Sequence, residues 1–182
     1  MDHHTGPDDE LDRVAAAMDA EVRAEQAAYE AMALQTEWRS RTLADVARQL
    51  VVRGDEVEVA VAGRVLRGVV AHAGEDFAVL VTASGPIDVV LSRCEHLRVA
   101  RRQRQGGRPP GRGARTFRAR LTEHETAALP LRLLTVGAAG GDPGAVEGVL
   151  DAVAVDHLLV RTRRGQLVLP LAVVAAACPL EP

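Results

Sequence analysis

The sequence predicts an α+β protein that is mainly β: a long N-terminal helix, then two small five-stranded bent β-barrels in tandem, each opened by a short helix. Three observations predict it. The first is an internal repeat. Gly68 to Leu91, GVVAHAGEDFAVLVTASGPIDVVL, aligns without a gap on Gly148 to Leu171, GVLDAVAVDHLLVRTRRGQLVLPL, at an offset of 80 residues. Gly68 falls on Gly148, Asp76 on Asp156, Thr82 on Thr162 and Gly85 on Gly165, and apolar meets apolar at Val70/Leu150, Leu80/Val160 and Val89/Leu169. Self-similarity of this kind marks one supersecondary unit used twice. The second observation is alternation of apolar and polar residues in short runs separated by glycine turns, the pattern of half-buried strands. The third is the stretch from about Asp9 to Arg39, which is rich in alanine and contains no Gly or Pro.

That stretch is helical by propensity, alanine being the best intrinsic helix former. Thr5, Asp8 and Asp9 are suited to cap it, and acids near a helix N-terminus suit its dipole. Leu11, Ala15, Met18, Val22, Tyr29 and Met32 fall near a 3.5-residue spacing, with Glu25 interrupting the seam. Such a seam fits either a coiled-coil partner helix or the flank of the barrels. Thr42-Leu-Ala-Asp45 resembles a capping box and begins a second helix through about Val51, with Trp38, Leu43, Val46 and Leu50 as its expected buried stripe. Trp38 is expected to close a core.

Five strands follow: Glu56–Ala62, Arg64–Ala73, Asp76–Thr82, Ile87–Leu91 and His96–Ala100, with Gly68 marking a bend or a close backbone approach. Residues 101–116, RRQRQGGRPPGRGART, show no apolar periodicity and read as a linker. A short helix from Phe117 to Ala128 and strands over 131–136, 144–154, 156–162, 166–171 and 173–178 complete the second unit. Pro170 lacks a donor and belongs at a strand end or edge. The expected division is a tail and long helix over 1–41, a first barrel over 42–100, the linker over 101–116 and a second barrel over 117–182.

Composition narrows the functional classes. Hydrophobic residues make up 47% of the 182 positions but aromatics only 2%, so the cores are aliphatic and base-stacking platforms are scarce. The net charge of −3 is unevenly spread: ten acids precede Thr42, whereas Arg98 to Arg120 holds nine arginines and no acid. All 22 basic residues are arginine. Cys94 and Cys178 form no CxxC pair, are not equivalent in the repeat and read as small buried thiols of a reducing compartment. The acidic N-terminus lacks the basic start and apolar run of a signal peptide, and no apolar run is long enough for a membrane span. A cytoplasmic location is expected.

No catalytic or metal motif emerges. His72, His96, His124 and His157 lack ligand spacing, and GAAGGDPG at 137–144 lacks the Lys-Ser/Thr and helix of a phosphate loop. Asp76 and Asp156 read as turn residues repeated by the internal symmetry rather than as a catalytic pair. Neither an enzyme, a cofactor nor a metal is expected. The functional signal is the arginine run. Arg98, Arg101, Arg102, Arg104, Arg108, Arg112 and Arg115 are the candidate nucleic-acid contacts, because guanidinium groups fork onto phosphates and stack on bases.

The helix followed by five short bent strands resembles the Sm/LSm family, including its bacterial Hfq branch. The resemblance is carried by Val57, Val59, Val61, Gly63, Gly68, Asp76, Phe77 and the run Val79-Leu80-Val81. It would cover about residues 42–100 and 117–178, and the whole plan is similar to a group of actinobacterial proteins. It implies barrel subunits, ring formation and binding of RNA. The family's Asn flanking the third strand has no counterpart in either unit, and its Arg-Gly or Lys-His pair after the fourth strand is replaced here by Leu91-Ser92-Arg93 and Leu171-Ala172-Val173. The expected function is therefore low-specificity RNA binding through the arginine-rich linker. The alternatives are a protein–protein or self-assembly module, joined through the N-terminal helix or the barrel edges, and a DNA-associated regulator.

Overall fold

Thr42 and Asp45 show why the first half begins where it does. Thr42 N donates to Asp45 Oδ2 at 2.9 Å and Asp45 N donates to Thr42 Oγ1 at 3.2 Å. This reciprocal box satisfies two of the donors that a helix start leaves free. In the computed structural model, which describes residues 7–103, 107, 113–137 and 144–180, it starts α2, Leu43–Arg53. Gly54 ends α2 at φ 67°, a left-handed conformation that glycine adopts without a Cβ penalty.

The strands of the first half are β1 Glu56–Val61, β2 Arg64–Ala73, β3 Phe77–Thr82, β4 Gly85–Val90 and β5 Cys94–Arg101. The second half repeats them after α3, Phe117–Thr126: β6 Pro130–Thr135, β7 Gly144–Val153, β8 His157–Thr162, β9 Gly165–Pro170 and β10 Val174–Pro179. The repeat extends to irregularities. β2 shifts register against β3 between Val70 and His72, and β7 shifts against β8 between Leu150 and Ala152. Gly68 and Gly148 sit just before these bulges, where a Cβ would lie 2.2 Å from the Val81 carbonyl oxygen and 2.4 Å from that of Arg161. Upstream of β7 the two halves align at 74 residues instead of 80, Thr42 on Thr116 and Leu50 on His124, because the connection after β6 is longer than that after β1.

The strands do not form two barrels. They form one open antiparallel sheet of ten strands in the order β5-β1-β2-β3-β4-β10-β6-β7-β8-β9. The expectation of two tandem Sm-like closed barrels is corrected by the pairing of β4 with β10, Val89 opposite Ala176 and Asp88 opposite Ala177. Closure of each half on itself would have to satisfy the free edge of β4 within residues 42–101. Instead that edge takes the strand Ala175-Ala176-Ala177, whose small side chains are fully buried between β4 and β6. The two cores interlock at this point. Leu134, Ala175 and Ala176 belong to the cluster around Leu50, Val57 and Leu80, and Phe77 and Val79 belong to the cluster around Phe117, Leu121 and Leu158.

α1 spans Pro7–Ser40, and its described side chains, from residue 16 onward, are exposed. Met18 is 62% exposed and Trp38 59%. Trp38 thus closes no core, contrary to expectation; the Arg41 guanidinium lies 5.0 Å from its ring centroid. Among the described residues no helix is long and apolar enough to cross a membrane.

Candidate functional site

The most densely built polar site lies where the halves meet. Asp88 of β4 is fully buried. Arg120 and His124 of α3 close over it, with Arg120 Nε donating to Asp88 Oδ2 at 3.1 Å and His124 Nε2 2.6 Å from the same oxygen. His124 is 2% exposed, and Asp88 Oδ1 has no hydrogen-bond partner among the described residues. Burial works against the charge of Arg120, but Glu123 and Asp88 outweigh it and raise its pKa. Nearby, Asp76 Oδ1 accepts from the Phe117 amide at 2.7 Å, the Phe77 and Phe117 rings pack with centroids 6.2 Å apart, and the Arg93 guanidinium donates to the Ala172 carbonyl. Apart from the Arg120–Glu123 pair within α3, each of these contacts joins one half to the other. Asp88 is thus pinned by a guanidinium and an imidazole from the other half, an arrangement that holds the two halves together.

The arginines singled out in the sequence are spread differently. Arg98 pairs with Glu58, Arg101 Nε lies 3.2 Å from Glu56, and Arg115 pairs with Glu75. The Arg98 hydrogen bond lowers the Glu58 pKa. Such exposed pairs contribute little stability, yet they place an acid beside each cation. Arg102 is exposed; Arg104, Arg108 and Arg112 lie outside the described residues. The described parts of the linker are held to the first half. Gln103 N donates to buried Asp55 at 2.8 Å, His72 Nε2 lies 2.9 Å from the Ala114 carbonyl oxygen, and Glu75 N donates to that of Arg115 at 2.7 Å. At Gly107 a Cβ would lie 2.1 Å from the Val51 carbonyl oxygen, so only glycine fits against the last turn of α2.

A second basic cluster escaped the sequence reading. The end of β8 and the turn before β9 carry Arg161, Arg163 and Arg164, where the first half has Val81, Ala83 and Ser84. They line a groove of about 970 Å³ together with Gly148 and Gln166. Arg161 Nε lies 3.1 Å from Asp151. The run RTRRG is the signal for it in the sequence, at a point where the two copies of the repeat differ.

The outer strands are the other unusual feature. Among the described residues β5 and β9 each have one neighbour. β9 presents Leu167 at 39% and Val168 at 60% exposure, and Val155, before β8, is 80% exposed. Val99 in β5 is 38% exposed, and Leu43 in α2 is exposed to the same extent. Cys94 and Cys178 are half-buried, not fully buried as expected, and burial raises both thiol pKa values. Among the described residues no group of His, Cys, Asp and Glu side chains could hold a metal ion. No family model, no curated protein and no solved structure matches the chain.

Proposed function

We propose that the chain is a non-enzymatic, cytoplasmic self-association module. The observation that carries this reading is the pair of open sheet edges, β5 and β9, both bearing exposed apolar side chains. Unpaired strand edges present rows of free N–H and C=O groups and are ready templates for another chain. The polar cluster around Asp88 fits the same reading, since its contacts are spent on joining two sheet units. The exposed Met18, Val22, Tyr29 and Met32 of α1 offer a second route to association.

Sedimentation velocity of the full chain across a concentration series tests this. The expected outcome is a mass that is a multiple of one chain and that rises with concentration. A monomer at every concentration rejects the reading.

A second reading, low-specificity RNA binding, is favoured by the groove holding Arg161, Arg163 and Arg164. It predicts affinity for single-stranded RNA that falls steeply with salt and with Arg163→Ala plus Arg164→Ala. The same titration with Arg101, Arg102 and Arg104 changed to Ala assigns any binding to the groove or to the linker.

A further inference from the structure

We infer that the open edges are occupied by a second copy of this chain, β9 of one copy adding to β5 of the next in the register that β4 and β10 use within the molecule. This rests on the self-association reading above. The repeat supplies the template. β4 corresponds to β9 and β10 to β5 at the 80-residue offset, so the one junction built inside the chain is between equivalents of the two strands left unpaired outside it. Val89 opposite Ala176 becomes Leu169 opposite His96, and Asp88 opposite Ala177 becomes Val168 opposite Leu97.

Three side chains at the junction differ together. Inside, Asp88 requires Arg120 and His124. At the outer edge the residue at the Asp88 position is Val168, and α2 carries Val46 and Leu50 at the positions of Arg120 and His124. All three members change from ionisable to apolar. Val168, 60% exposed in the single chain, would come to lie against half-exposed Val46 and Leu97, with buried Leu50 beneath. A buried acid on β9 without its arginine would oppose docking; a valine favours it.

The polar contact has a counterpart as well. Asp76 receives the Phe117 amide, and at the outer junction Asp156 faces the equivalent amide, that of Leu43, in the first turn of α2. Donors of a first helical turn have no partner within the helix. β9 itself, GQLVLP, carries no charged side chain to blunt the edge. Its Pro170 matches Val90, which lies beyond the two paired positions of the inner ladder, so its missing donor is not needed. Because the contact joins unlike faces, each added copy presents a fresh edge, and the assembly grows until it closes on itself or continues as a filament.

Two single variants of the full chain test the pairing directly. Leu97→Cys and Val168→Cys, mixed under mild oxidation, are expected to give a disulfide-linked dimer that neither gives alone; the double variant gives a ladder of higher species. Independently, Val168→Asp is expected to weaken association by about tenfold or more, by placing an acid where no cation answers it. Adding Val46→Arg to it rebuilds the inner arrangement and is expected to restore association. A chain that associates normally but shows no cross-link in the mixture, or is indifferent to Val168→Asp, overturns this pairing while leaving self-association standing. Loss of association on Tyr29→Glu in α1 instead would assign it to the helix. A chain that never associates removes both readings at once.

Discussion

The two halves share a backbone plan down to the bulges after Gly68 and Gly148, yet their helices bury different chemistry. α2 buries Ala44, Ala47, Leu50 and Val51, a purely apolar stripe. α3 buries Phe117, Leu121 and His124. The difference follows from what each helix covers. α3 lies beside β4 of the preceding half and must answer Asp88, whereas no described strand stands beside α2 on its outer side. The strands tell the same story: Ile87, Asp88 and Val89 are buried in β4, but Leu167 and Val168 are exposed in β9. A side chain's burial in this repeat is therefore set by its place in the sheet rather than by its place in the unit.

The sharpest way to break that comparison is Asp88→Ala. It leaves His124 and Arg120 facing a buried gap, and a cost of about 3 kcal/mol is expected in urea denaturation, softened by the partial exposure of Arg120. Val168→Ala at the equivalent position is expected to shift the same single-chain unfolding curve by no more than about 0.5 kcal/mol. Equal effects would show that the inner junction contributes nothing special.

Gly68→Ala and Gly148→Ala probe what the halves have in common. Each new Cβ meets a carbonyl oxygen of the neighbouring strand, and each is expected to cost about 2 kcal/mol. A large gap between the two would mean that the bulges are not energetically equivalent.

The smallest effects lie at the helix starts. Thr42→Ala is expected to cost about 1 kcal/mol, because it removes half of a capping box. Thr116→Ala is expected to cost less, since Thr116 only accepts from Ala119 N and no acid returns the bond. Hydrogen bonds from the Thr42 side chain and backbone lower the Asp45 pKa. The stability they provide is fully present above the ordinary aspartate value of 3.8 and is lost as pH falls through the lowered value. Thermal unfolding below pH 4 should therefore be less acid-sensitive in Thr42→Ala than in the parent chain.

The local plan was legible in the sequence because local rules write it. The repeat placed every strand within a few residues, Thr42 and Asp45 announced α2, and Gly68 announced a close approach. The partner of each edge was not legible. Alternation tells which side of a strand is buried, not which strand lies next to it, so β4 and β10 looked able to close separate barrels. The alanine run of β10 carries no pattern that names a neighbour, although small side chains suit a strand packed between two cores. Trp38 misled because its apolar bulk suggested a core, and solvent exposure of one aromatic on a long helix leaves no trace in spacing. The site was less legible still. Asp88 reads as one more acid in a strand until Arg120 and His124 come over it, 32 and 36 residues later.

Among the described residues β10 is the last strand in sequence, but it lies near the middle of the sheet. During synthesis β4 and β6 must wait, each with one side unmatched, until Val174 to Pro179 has emerged. The ladder from Val89 to Ala176 spans nearly half the chain, a separation that slows folding. Until that strand arrives the two hairpin stacks stay unjoined, and the matching edges of β4 and β6 are open to capture by other chains.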